Sequence, residues 1–326
     1  MLGLYHMIRK WLAVGIILLF VGIAYSPAIA QNKEKPLPTF YGKWLYVGGD
    51  GPGNYSKIQD AINDSHYGDT IFVYNGRYYE HAIIISKQIN LIGENRNNTI
   101  LDGQGKYTDG IHVGNGVNVH GLTIEGFTQY DMTLGSGTGV YIEGNNIKIS
   151  DCIITNCTHG LFVRQNAYQI EISNNIFSQT SYFGLYLQAT ACSVHDNYFK
   201  YNHYALDVMK GSRLVSIDHN QFELNWVGIW ARSTRANISC NNFIDNSGYH
   251  VYLEWDSRLL MLPFVFYWKP VFSENYWDDW TDVSPRPING HFVLWLKIGD
   301  LSIMLYVSDI VQYDQHPAQE PYDIGG

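Results

Sequence analysis

The sequence is poor in charge, in cysteine and in long apolar runs. Charged residues make up 16% of its 326 positions. That is well under the quarter typical of globular chains, which excludes a coiled coil or a disordered acidic tail. Lys and Arg number 21 against 30 Asp and Glu, a net charge of −9 with no basic run. That balance argues against nucleic acid or anionic membrane as the main partner. Four cysteines (Cys152, Cys157, Cys192, Cys240) are too few to build a fold of this length. No CxxC is present, which argues against a cysteine metal site, and three disulfide pairings stay open. Beyond the N-terminus the longest apolar stretch, Leu259–Trp268, is ten residues with Pro263 inside it, too short to span a bilayer.

What is present begins with an address. Arg9 and Lys10 precede Trp11–Tyr25, fifteen residues without a charge, and Ala28-Ile29-Ala30 follows. A basic start, a short apolar core and an A-x-A site describe a secretory signal cleaved after Ala30. The alternative is a retained anchor, but fifteen residues fall short of the roughly 20 that cross a bilayer. Cleavage removes two bases and no acid, taking −9 to −11. N-x-[ST] sequons start at Asn54, Asn63, Asn97, Asn156 and Asn237, and matter only where exported protein is glycosylated.

The middle of the chain repeats. Gln169–Phe177 (QIEISNNIF) and Ala191–Phe199 (ACSVHDNYF) are copies of one phrase. The apolar residue closing each copy falls at Ile124, Ile154, Phe177, Phe199, Phe222 and Phe243, at spacings of 30, 23, 22, 23 and 21. A second column of small residues opening apolar-x-apolar runs is Gly110, Gly139, Gly160, Gly184, Ala205 and Gly228. Each unit is too short for a helix pair and alternates with period two, the pattern of a β-solenoid whose stacked coils bury one continuous core. The Asn column (Asn175, Asn197, Asn220, Asn241) reads as a turn position that tolerates left-handed backbone while its amides bond from coil to coil. The Gly column reads as a corner needing unusual φ. The longer first interval holds Gln129–Thr138, read as a loop budding from one corner.

Both ends read as capped. Ser56-Lys57-Ile58-Gln59 has capping-box spacing, opening a helix with Ile58, Ala61 and Ile62 on its apolar face and ending near Gly68. Phe292–Ile298 and Leu301–Val307 flank Gly299-Asp300, a hairpin signal. The run Gly68-Asp69-Thr70-Ile71-Phe72-Val73, then Gly76-Arg77-Tyr78-Tyr79-Glu80 and Ile89–Glu94, resembles the opening of NosD-like exported right-handed parallel β-helix proteins. Asn275-Tyr276-Trp277 resembles the motif that closes their helices. The resemblance covers about Leu45–Trp280. It implies repeats of the type shared by carbohydrate-binding proteins and sugar hydrolases. It carries over no copper ligands, because the Met and His residues form no cluster in sequence.

Two constellations are candidate sites. The middle residues of the Gly-opened strands point outward and read His112, Tyr141, Phe162, Tyr186, Asp207, Trp230. Rungs stack at about 4.8 Å, so these rings form a stripe suited to the apolar faces of sugars, with Asp207, Lys210 and Arg232 as polar neighbours. The alternative is packing, either beneath the Gln129–Thr138 loop or across strands. Second, His195-Asp196 and Asp218-His219 occupy equivalent positions on consecutive rungs. A carboxylate beside an imidazole suits acid/base work, and two of each could hold a metal. The alternative is a solvated turn of complementary charges.

The expectation is therefore an all-β, right-handed parallel β-helix of about eight or nine coils. Residues 1–30 are a signal peptide, 31–44 a linker, 45–281 the β-helix and 282–326 a C-terminal cap. The leading functional reading is an exported, non-catalytic scaffold binding carbohydrate or a cell-envelope protein, without cofactor or metal. Membrane contact is confined to an uncleaved N-terminus, and the oligomeric state is left open. The alternatives are a polysaccharide lyase or glycoside hydrolase, or a NosD-like metal-associated accessory protein.

Overall fold

A computed structural model describes residues 42–128, 137–258, 269–298 and 301–324, all within the compact unit Tyr41–Gly326. The expected signal peptide, most of the Gln129–Thr138 loop and Leu259–Trp268 lie outside the described residues. The chain winds as a parallel β-helix of about nine turns. Every coil visits three faces in turn. A mid-chain coil runs through Ile147–Ser150 on the first face, Ile153–Thr155 on the second and the start of His159–Ser173 on the third. The second face is a nine-stranded parallel sheet.

Alternation decides what enters the core. On the first face Val119, Ile149, Ile172, Val194, Ile217 and Ile238 stack in register, and each is fully buried. On the second face Phe177, Phe199, Phe222, Phe243 and Trp277 form a ring stack with centroids 4.8, 4.9, 5.1 and 4.4 Å apart. The period of the closing residue is thus the circumference of one coil.

The corners work differently from the sequence expectation. Asn175, Asn197, Asn220 and Asn241 do not carry the left-handed backbone; the residue before each does, with φ of 57° at Asn174, 56° at Asp196, 53° at His219 and 56° at Cys240. That frees the Asn side chains to turn inward, where each Nδ2 donates to the Oδ1 one coil on at 2.9–3.0 Å. A second ladder, Thr180, Asn202, Asn225 and Asn246, runs down the next corner. The Gly column also has another cause, because none of its glycines has positive φ. A Cβ on Gly160 would stand 2.4 Å from the Gly184 carbonyl oxygen, and one on Gly184 2.6 Å from that of Ala205. Close approach of stacked backbones, against the Phe stack, selects glycine here.

Helix α1 (Ile58–Asp64) covers the first coil with Ile58, Ala61 and Ile62 buried. The capping box does not form. Glu80 accepts the Ile58 and Gln59 N–H groups at 2.7 and 3.1 Å, while the Gln59 side chain bonds Asn63 and Ile84. The helix stops at Asp64, not near Gly68, and Lys87 Nζ satisfies the Ile62, Asn63 and Ser65 carbonyls at 2.7–3.0 Å. At the other end Arg286–Ile298 and Leu301–Asp314 form the expected antiparallel hairpin, longer than its apolar segments alone. Asp314 closes the first Asn ladder by accepting from Asn275 Nδ2 (2.9 Å) and N (3.0 Å) and from Trp277 Nε1 (3.2 Å).

Candidate functional site

The outward ring stripe lies in register on the third face: His112, Tyr141, Phe162, Tyr186, Asp207 and Trp230 pair rung by rung. The expectation of an open platform is corrected in its middle. Phe162, Tyr186 and Asp207 are buried. Phe162 stacks on Tyr141 at 5.1 Å and on Tyr186 at 4.4 Å, and Phe183, Tyr182, Tyr204 and Met209 pack against this group. Burial pushes the Asp207 carboxyl up to about 7 against the pull of Arg232. Arg232 donates to both Asp207 oxygens, through Nε at 3.0 Å and through its terminal nitrogen, and its guanidinium lies 3.6 Å over the Trp230 ring. The stripe is an outer apolar layer closed by an ion pair. Sequence alternation identified its direction but not the aromatics at the strand starts that cover it.

The His/Asp pairs lie elsewhere, along the corner of the first face. His195 and Asp218 are rung partners, but the short contacts run within each rung: His195 Nδ1 to Asp196 at 2.7 Å and His219 Nδ1 to Asp218 at 3.2 Å. Ser216 also donates to Asp218 at 2.7 Å. The expected cross between rungs is therefore two separate pairs, partly open to solvent.

These pairs belong to a longer row. In register along the first face stand Tyr46, Phe72, Ile92, His120, Ser150, Ser173, His195, Asp218 and Ser239. Between His120 and Asn174 the row opens into a cavity of about 610 Å³ lined by Arg96, His120, Lys148, Ser150, Asp151, Ser173 and Asn174. Arg96 meets Asp151 at 3.1 Å, and Lys148 meets Glu171 at 2.7 Å. Lys148 holds Glu171 below the usual carboxylate range. His120 Nδ1 lies 3.2 Å from the Ser150 hydroxyl. Sequence reasoning missed this groove because Arg96 arrives from a turn outside the repeat and His120 from a coil of different length.

Among the described residues one group, His250, Asp278 and Asp279, has metal-ligand spacing. His250 Nε2 lies 2.8 Å from Asp278. The second ladder decides its tautomer. Asn246 Oδ1 accepts from Asn225, so its Nδ2 faces His250 Nδ1 at 3.1 Å. Nδ1 must then accept, and Nε2 carries the proton it donates to Asp278. A metal on Nε2 would need the opposite tautomer, so this set does not fit an ion. The four thiols are unpaired, and burial pushes Cys152 and Cys157 up to about 12, which leaves both inert as nucleophiles.

No curated protein matches the chain in sequence. Among solved structures it is similar to an alginate lyase from Paenibacillus sp. str. FPU-7, at 13% identity and TM-score 0.46 over 61% of this chain and 90% of that one. It is similar to the pectate lyase Pel9A at 13% identity and TM-score 0.47, over 72% and 74%. It is also similar to the catalytic domain of a GH87 alpha-1,3-glucanase in complex with nigerose, at 12% and 0.44, over 79% and 56%. With identities of 12–13% and TM-scores below 0.5, none of these likenesses bears on activity. The model of the right-handed beta helix region matches residues 81–244, half of the chain, and with the coil-by-coil register above the protein belongs to that family.

Proposed function

We propose that this protein binds carbohydrate along the first face of its β-helix, with the groove between Arg96 and Asn174 as the main site. The single observation carrying the reading is the lining of that groove: donors and acceptors of hydroxyl, imidazole, ammonium and carboxylate type, presented at rung spacing on a rigid sheet. Such a set suits a polyhydroxylated ligand, because every hydroxyl both donates and accepts. Export, with residues 1–30 removed, puts the site where extracellular glycans are met. The NosD-like resemblance fits the same exported setting. A second reading, cleavage of the bound glycan, is favoured by the 2.7 Å His195–Asp196 contact on the same row.

Calorimetric titration of the full-length protein with neutral and uronic hexasaccharides tests binding. His120→Ala with Lys148→Ala is expected to weaken it at least tenfold. Absence of binding by the unmodified protein would remove the proposal. Chromatography of the recovered ligand separates the two readings: intact sugar supports a binding scaffold, and fragments lost on His195→Ala support an enzyme.

A further inference from the structure

The row that forms the groove does not begin there. Two and three rungs toward the N-terminal end from His120, the same face carries Phe72 and Tyr74, then Trp44 and Tyr46. Trp44 and Tyr46 alternate to the same side of Trp44–Val47 and are 53% and 39% exposed. Trp44 and Tyr46 lie 6.4 Å apart with planes 28° from parallel, and Tyr46 and Tyr74 6.0 Å apart at 25°. Phe72 touches Trp44, Tyr46 and Tyr74, at 6.0, 6.1 and 5.2 Å. Four rings thus make one apolar surface, a costly feature to leave in water and a usual mark of a binding area.

This surface joins the groove without a break. Tyr46 pairs with Phe72, Phe72 with Ile92 and Ile92 with His120, which lines the groove. At about 4.8 Å per rung, Tyr46 to Ser173 is five steps, about 24 Å of straight sheet. The cations inside the groove are each met by a carboxylate, Arg96 by Asp151 and Lys148 by Glu171. The groove therefore offers no unmatched positive charge to a uronic acid. Aromatic faces, in turn, stack on pyranose rings whose hydroxyls are equatorial and whose faces are rich in C–H.

Resting on the carbohydrate reading above, we infer that Trp44, Tyr46, Phe72 and Tyr74 form an aromatic platform that extends the groove, and that the ligand is a neutral, extended polysaccharide lying along the helix axis. A chain spanning both parts gains stacking at one end and hydrogen bonds at the other. A short sugar occupies only the groove.

The test titrates full-length protein with cellobiose, cellohexaose and hexagalacturonate. Cellohexaose is expected to bind at least tenfold more tightly than cellobiose and than hexagalacturonate. The Trp44→Ala, Tyr46→Ala double variant is expected to erase the preference for length while cellobiose binding and the melting temperature stay unchanged. Trp44→Phe, which keeps a ring, should retain most of the hexamer affinity. If the unmodified protein binds cellohexaose and the double variant binds it equally well, the platform inference fails while the carbohydrate reading stands. A preference for hexagalacturonate overturns the neutral ligand. If no sugar binds, the carbohydrate reading itself fails and takes the platform with it. Light scattering showing a dimer that the double variant dissolves would make the patch a contact between copies and overturn the inference.

Discussion

His159 shows how much one buried group can weigh. It is fully buried on the third face, 5.5 Å from Phe183 and stacked on it, with Tyr182 at 5.6 Å. Neither ring nitrogen meets a hydrogen-bond partner among the described residues. Burial pulls its pKa down to about 4, with Asp109 pulling weakly the other way. The unfolded chain therefore takes up this proton first as pH falls, so the contribution to stability is complete above about 6.5 and is lost progressively toward about 4. The loss should reach roughly 3 kcal/mol. Denaturant melts between pH 7 and 4 check it against His159→Phe, which should be less acid-sensitive by that amount; parallel pH profiles would refute the assignment. Leu214 carries a different cost, with φ of 52° and 76% exposure. Asn146 holds the equivalent corner at φ 55°. Leu214→Asn should raise stability by about 1 kcal/mol, since Asn tolerates this backbone and Leu does not; an unchanged denaturation midpoint would contradict that.

Among the elements, the inward Asn ladder is the device that depends most on its ends. Each amide passes a donor toward the C-terminal coil, so the last one needs an acceptor with nothing further to donate. Asp314 supplies it and is fully buried. Asp314→Ala would leave Asn275 N and Trp277 Nε1 without their acceptor, while Asn275 Nδ2 keeps the Ile238 carbonyl at 2.9 Å, and should cost about 3 kcal/mol. Asp314→Asn keeps one acceptor oxygen and should cost less. Equal stability of all three proteins in urea would mean that the ladder closes on something else. The ladder was half legible in sequence, because Asn175, Asn197, Asn220 and Asn241 recur at coil spacing. Its terminator was not, since Asp314 lies 39 residues beyond Asn275 on a separate hairpin. The helix cap was misplaced for the same reason: Glu80 reaches the start of α1 from 22 residues away and displaces the local capping box.

At the scale of the molecule, two lateral surfaces of one solenoid have opposite fates. The third face bears the stripe of rings singled out from sequence, and packing covers its middle. The first face, which sequence marked only through His195, Asp196, Asp218 and His219, carries the groove and the exposed aromatic surface in one register. The proposed export with cleavage after Ala30 predicts a mature protein that begins at Gln31, and mass spectrometry of the secreted or envelope fraction checks it. An intact Met1–Ala30 there would mean a retained anchor.

Sequence alone determined the winding. Period-two alternation, repeated at the length of one coil, makes every apolar residue face a like residue one rung away, so Ile124, Ile154 and the Phe column identify the core without coordinates. Tertiary structure decided what the outside does. Whether an outward ring meets water depends on which side chains fold back over its rung. Phe183 and Tyr204 pack on Tyr186 and Arg232 closes over Asp207, whereas Trp44 stays 53% exposed. The groove, too, exists only because coils of unequal length bring Arg96, His120 and Lys148 to one corner. The repeat specifies the stacking of equivalent positions, and these residues are not equivalent.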